Sequence, residues 1–206
     1  MTFEFLSQLA SAYPFVLGSA SPRRFRLLEE TGITFTRAIA DIDESRLPGE
    51  DPFGYALRLA ETKALAVAES VSNRSIVLGG DTIVVLGDDI LSKPDNPEEA
   101  QETLRTLSGK EHVVCTALSL ARRNETLRTD AEETVVRFNT VTDRQIIDYV
   151  ATGEPMDKAG AYGIQGMGAF LVDSIDGNLD TVIGLPRFLL DRLARETLHL
   201  LKRVID

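Results

Sequence analysis

The chain is short of the residues that staple a fold, ligate soft metals or relay protons at neutral pH. It has one cysteine, two histidines and no tryptophan among 206 residues. A single cysteine forms no intrachain disulfide, which excludes a small secreted disulfide scaffold. Cys115 lies in the apolar run 113–118 and reads as a small buried hydrophobe in a strand. His112 and His199 are far apart in sequence and read as structural, so a His/Cys zinc site finds no ligand set. No G-x-S-x-G elbow marks a nucleophilic serine. No apolar run approaches the ~20 residues of a membrane span. The opening MTFEFLSQLASAYPF has no basic residue before its apolar part and makes a poor secretion signal, so the cytoplasm is the expected location. There is no internal repeat, low-complexity tract or linker.

What is abundant is negative charge, a net −10 at pH 7. Such a surface repels nucleic acid on average, and no aromatic–basic interleaving offsets it. An anionic small molecule is still admissible where a local group of Arg and Lys outweighs the global field, because distant charges are screened beyond about 10 Å. Forty-three per cent hydrophobic and 26% charged residues suit an ordinary globular chain.

The pattern along the chain predicts an early alternation of strands and helices, followed by clustered strands. Residues 2–12 have helical spacing, and 15–20 read as a buried strand. Ser21-Pro22 opens a helix that Gly32 ends. A strand is expected over 34–42, a long Ala/Leu-rich helix over 52–70, and a buried strand at 76–78 running into Gly79-Gly80-Asp81-Thr82. A hairpin turns at Gly87-Asp88-Asp89, and Asn96-Pro97-Glu98-Glu99 starts a helix that ends at Ser108-Gly109. Strands near 112–121 and 131–138, a helix at 143–151 with a Thr142/Gln145 capping box, a loop over 160–168, a strand at 169–175 and a final helix from Leu185-Pro186 complete the chain. These elements make one α/β unit, a mixed sheet flanked by helices with a cleft.

Several stretches hold residues suited to chemistry. Ser19, Ser21, Arg23 and Arg24 stand at a strand-to-helix junction, where unpaired N–H groups and the helix dipole favour an anion. A capped surface helix with two solvated arginines fits those residues equally well. Asp81 sits at the end of an apolar strand, a common place for catalytic groups in open α/β sheets. The glycines before it permit a tight turn or close approach of a ligand. Asp41, Asp43 and Glu44 form a second acidic group that is either solvated or gathered around a cation. Any metal held here would have oxygen ligands, which favours Mg²⁺ or Mn²⁺ over zinc. Lys63 interrupts an apolar helix face, and Lys93 follows the hairpin. Gln165, in a glycine-rich loop, carries an amide that matches the edge of a nucleobase.

Seven ordered segments carry a resemblance: SASPRRFRLLEETG (19–32), DIDES (41–45), AETKALAVAE (60–69), GGDTIVV (79–85), LSKPDNPEEAQETLRTLSGKEH (91–112), EPMDKAGAYGIQGMGAFLV (154–172) and IDGNLDTVIGLP (175–186). Together they resemble the Maf family of nucleoside triphosphate pyrophosphatases from about residue 15 onward, leaving 1–14 as an extension outside the match. The resemblance implies a long twisted mixed sheet with a cleft between two lobes, similar to the inosine triphosphate pyrophosphatase fold. It implies divalent-metal-dependent cleavage between the α and β phosphates, and suggests a homodimer. Carried over by motif, Asp81 is the catalytic acid/base. By the same resemblance, Arg23, Thr82 and Gln165 would set nucleotide choice, and Ser19, Arg24, Asp43, Lys63 and Lys93 would be further active-site members. Mg²⁺ or Mn²⁺ would bridge the triphosphate to Asp81, Asp43 and Glu44. The AYGIQG loop resembles the branch acting on dTTP and UTP rather than 7-methyl-GTP. Gly18 and Gly80 stand where alanine is usual, and Asn178-Leu179-Asp180-Thr181 replaces a segment that often carries an aromatic and an asparagine. The competing readings are a pyrophosphatase for modified or purine nucleotides and a nucleotide-binding cell-division regulator with little turnover.

Overall fold

A computed structural model describes residues 3–203. In chain order the elements are α1 (Glu4–Ala12), β1 (Phe15–Gly18), α2 (Pro22–Glu29), β2 (Thr36–Ala38), α3 (Pro52–Ser70), β3 (Ile76–Leu86), β4 (Asp89–Leu91) and α4 (Pro97–Leu107). They continue with β5 (Glu111–Arg122), β6 (Glu125–Phe138), α5 (Asp143–Val150), β7 (Val172–Asp176), α6 (Leu179–Ile183) and α7 (Arg187–Arg203). Three short 3₁₀ turns, Glu154–Asp157, Ala159–Ala161 and Gly166–Leu171, occupy the stretch between α5 and β7. The strands form one mixed seven-stranded sheet in the order β2-β1-β3-β5-β6-β7, with β4 paired to β3. β1 runs parallel to both β2 and β3, whereas β4 and β7 are antiparallel to β3 and β6. Among the described residues, no helix is long and apolar enough to cross a membrane.

Helix starts follow the capping chemistry expected of them. The Ser21 hydroxyl accepts from Arg24 N, with Pro22 in the first turn. Asp51 caps α3, Asn96 caps α4, and Thr142 and Gln145 form a reciprocal capping box on α5. Each cap satisfies N–H groups that the helix cannot, and is worth about 1 kcal/mol.

The chain divides into two compact units, the first comprising Met1–Asp81, Thr116–Glu132 and Gly184–Asp206. In it, Val16, Val67, Ala68 and Val77 pack a small apolar cluster of strand against helix. α1 is tied to α7 where Leu6 N donates to Asp191 Oδ1 at 2.8 Å. Gly79 sets how closely α3 lies on β3. A Cβ there would stand 2.3 Å from the Ala60 carbonyl oxygen and 2.6 Å from Ala64 N. The expectation of a turn at Gly79-Gly80 is therefore corrected. β3 runs straight through both residues, and the close neighbour of Gly79 is helix backbone.

The second unit comprises Thr82–Cys115 and Glu133–Ile183. Its core gathers Val84, Leu104, Leu107, Val114, Ile146 and Leu171. Phe138 and Tyr162 pack edge-on against His112, whose Nε2 shares a 2.8 Å hydrogen bond with the Tyr162 hydroxyl. His112 is 3% exposed and its Nδ1 has no partner. Burial lowers its pKa from 6.5 to about 4. The unfolded chain therefore takes up this proton near pH 6.5, whereas the folded chain refuses it until about pH 4. Stability from the neutral ring is fully present above pH 6.5 and is lost as the pH falls between those values, in total about 3 kcal/mol. His112→Gln, which cannot titrate, should lose about 2 kcal/mol less than the parent between pH 7 and 4.5 in urea unfolding. An equal loss in both proteins would contradict this account.

The strand expected over 34–42 is only β2, because residues beyond Ala38 are mostly exposed and find no partner strand. The strand expected at 169–175 begins at Val172, since Gly166–Leu171 coils into a 3₁₀ turn first.

Candidate active site

β1 ends at Gly18, and the chain turns through Ser19 and Ala20 into α2. Arg37, on β2, holds this turn from behind. Its Nε donates to the Ser19 carbonyl at 2.8 Å, and its Nη2 donates to the Ala20 carbonyl. In a trans peptide the N–H points opposite to the C=O. With both carbonyls taken by Arg37, the amides of Ala20 and Ser21 face the other way, and Ser21 N reaches Ser19 Oγ at 3.2 Å. Arg24 lies inside this unit at 7% exposure, its Nη1 on Ser19 Oγ at 2.9 Å and its Nε on the Gly184 carbonyl at 2.8 Å. Burial lowers its pKa, the Asp81 charge opposes that shift, and Arg23 adds to it. Arg24 thus faces inward as a fixed cation beside Asp81, rather than sweeping solvent. Arg23, on the same turn of α2, is half-buried.

Asp81 sits within β3, not at its end. Lys63 reaches it from α3, Nζ to Oδ1 at 2.7 Å, and the same ammonium stands 2.9 Å from Glu44 Oε1. The lysine is thus a resident cation between two carboxylates. It offsets their repulsion and orients both. Lys63 engages the Asp81 carboxylate through Oδ1.

Glu44 belongs to an irregular loop made rigid by side chains that sequence reading did not single out. Arg58 grips the Glu50 carboxylate with two donors, Nε to Oε1 at 2.5 Å and Nη2 to Oε2 at 2.8 Å. The same Nη2 donates to the Ser45 carbonyl, and the Tyr55 hydroxyl donates to the Glu44 carbonyl at 2.8 Å. The hydrogen bond from Arg58 holds the Glu50 carboxyl down at about 2. Tyr55 is pushed up, first by burial and then by the charges of Asp81 and Glu44. The partners lie 8 to 13 residues apart, a separation that no local periodicity reports. Capture of a carboxylate by a forked arginine is the only sequence-level hint.

Asp43 points elsewhere. Its Oδ1 accepts from Ser45 N at 2.8 Å, and the hydrogen bonds from Ser45 lower its pKa. The expected trio of Asp43, Glu44 and Asp81 is not drawn together as a cage. Among the described residues, no three His, Cys, Asp or Glu side chains converge on a metal position. Asp81 and Glu44 still suit a hard cation. Mg²⁺ is held by one or two carboxylates together with substrate phosphates and water, not by an all-protein cage.

Thr82, Lys93 and Gln165 belong to the second unit. Thr82 follows Asp81 along β3 and is half-buried, Lys93 lies after β4, and Gln165 is exposed between two glycine-flanked turns. His112 and Cys115, both buried, take no part in these clusters, and His199 is exposed on α7.

A sequence model described as Maf-like protein matches residues 14–197. The dTTP/UTP pyrophosphatase of Escherichia coli O157:H7 is 47% identical over 170 residues, which cover 82% of this chain and 86% of that one. The dTTP/UTP pyrophosphatase of Shewanella oneidensis is 49% identical over 178 residues, covering 83% of this chain and 91% of that one. A solved HAM1 protein from Coxiella burnetii matches 89% of this chain and 99% of its own at 13% identity and a TM-score of 0.48, a likeness too distant to inform the chemistry.

Proposed function

We propose, from the premise that this chain belongs to the Maf-like protein family, that it is an enzyme hydrolysing dTTP and UTP to the monophosphate and pyrophosphate. The observation that carries this reading is the Asp81–Lys63–Glu44 arrangement, an acid and a cation on rigid elements with a second acid on a braced loop. Asp81 Oδ2 orients a water and takes its proton as the water oxygen bonds to the α-phosphorus. The bond from that phosphorus to the bridging oxygen breaks, and pyrophosphate leaves. Lys63 fixes the Asp81 carboxylate through Oδ1. Arg23 and the turn braced by Arg37 and Arg24 supply positive potential and amide donors for phosphate oxygens.

Glu44 and Asp81 are the residues that would hold a divalent cation, which when bound neutralises charge developing on the phosphoryl oxygens. Lys93 contributes to holding the phosphates, and Thr82 and Gln165 read the base. The product distinguishes this reaction class from a phosphatase. With Mg²⁺ and dTTP or UTP, the protein should release pyrophosphate, and orthophosphate as the first product would overturn the reading. Gln165→Ala should reduce the preference in kcat/KM for UTP over CTP by about tenfold, the value of one lost amide contact to a base. An unchanged ratio would remove Gln165 from base reading.

A further inference from the structure

Residues 163–168 of the second unit are folded around a carboxylate and a phenol. Glu154 Oε1 accepts from the Tyr149 hydroxyl at 2.9 Å and from Gly168 N at 3.1 Å, and Oε2 accepts from Met167 N at 3.0 Å. The Tyr149 oxygen in turn accepts from Gly163 N at 3.0 Å. Both ends of the segment are therefore fastened to one hydrogen-bonded pair, and Gln165 stands between the fastenings, exposed, with extended backbone. Tyr149 is 3% exposed, and burial is the main cause that pushes its hydroxyl pKa up, so it stays protonated and keeps donating to Glu154.

The surroundings leave this segment few alternatives. A Cβ at Gly168 would lie 2.4 Å from the Gly163 carbonyl oxygen and 2.5 Å from the Tyr149 hydroxyl. Gly166 has φ +82°, a region L side chains rarely adopt, and a Cβ there would approach Glu154 Oε2 to 2.9 Å. Lys158 ties the start of the structure down by donating to the Glu154 carbonyl and to Asp157 Oδ1. A loop tip that carries a recognition group normally pays for ordering when ligand binds. Here two amide contacts to Glu154 and one to the Tyr149 oxygen hold the tip ordered beforehand.

We infer that Glu154 and Tyr149 are positioning residues for base selection, fixing the 163–168 segment so that the Gln165 amide is presented in one orientation. This rests on the proposed pyrimidine triphosphate reaction and deepens it. Neither side chain is assigned contact with the nucleotide. Their effect passes through the backbone to Gln165.

The test is steady-state kinetics on UTP and CTP for the parent protein, Glu154→Gln, Tyr149→Phe, Gln165→Ala and the double variant E154Q/Q165A. Gln keeps one acceptor oxygen but turns a donor toward amide N–H groups. Phe removes both hydrogen bonds of the Tyr149 hydroxyl. Each should lower the UTP-over-CTP ratio in kcat/KM about tenfold, mainly by raising KM for UTP. E154Q should add less than about twofold to the loss of preference in Q165A, because both changes remove one function. A merely structural role would instead lower kcat or thermal stability alike for both nucleotides and leave their ratio intact, and that result in both single variants would overturn the inference. Equal, additive losses in the double variant would also overturn it. Failure of the parent protein to release pyrophosphate from UTP is a different outcome. It would remove the proposed function, whatever the variants do.

Discussion

Asp81→Asn should fold as the parent does and lose about 10²- to 10⁴-fold in kcat, the usual contribution of a positioned general base. The asparagine oxygen can still accept from Lys63 Nζ, which stands 2.7 Å from Asp81 Oδ1 in the parent. What it cannot do is take a proton from water. The fold cost is confined to replacing a charge-assisted hydrogen bond with a neutral one, about 1 kcal/mol. Pyrophosphate release under single-turnover conditions, alongside thermal unfolding, separates the two effects. A variant that kept full rate would show that Asp81 is not the base.

Gly79→Ala should be the most damaging single methyl in the first unit. The added carbon would enter a space already held by the Ala60 carbonyl oxygen at 2.3 Å and by the Ala64 nitrogen and Cβ at 2.6 and 2.8 Å. Those are helix backbone and a methyl, with no flexible end to give way, so α3 must lift from β3. The expected stability loss is about 3 kcal/mol, at the upper end of ordinary overpacking. Lys63 precedes Ala64 on the same helix and would move with it, away from Asp81. A displacement of that order costs about 100-fold in rate. Gly80→Ala is the control. Its Cβ would meet the movable Leu118 Cδ2 at 3.0 Å, the Ala117 carbonyl at 3.2 Å and Arg24 Nε at 3.3 Å. It should cost less than about 1 kcal/mol. Denaturant unfolding of both variants checks the contrast, and equal stability would show that the helix–strand distance is not set at residue 79.

Much of this fold was legible because its signals are local. Ser21-Pro22, Asn96-Pro97 and the Thr142/Gln145 box mark helix starts through atoms three residues apart, and all three appear as capped helices. Gly79-Gly80 misled for a physical reason. Glycine in a sequence reads as freedom of the backbone, whereas Gly79 records the absence of room beside a helix 15 to 19 residues earlier. α6, of five residues, is too short to show a period and was not anticipated. In the site, Lys63 stood out because a charge interrupts an apolar face, and its pairing with Asp81 and Glu44 follows that hint. Asp43 resembles Glu44 in sequence but spends its carboxylate on Ser45. Arg37, Arg58 and Glu154 look like solvated charges in sequence. Their work is done on carbonyls, carboxylates and amides that folding brings to them.

The most direct test of the assigned reaction is hydrolysis of dTTP in ¹⁸O-labelled water, with the products resolved by mass. Attack at the α-phosphorus places the label in dTMP and leaves pyrophosphate unlabelled. Label in the pyrophosphate, or orthophosphate with dTDP in its place, would contradict the account.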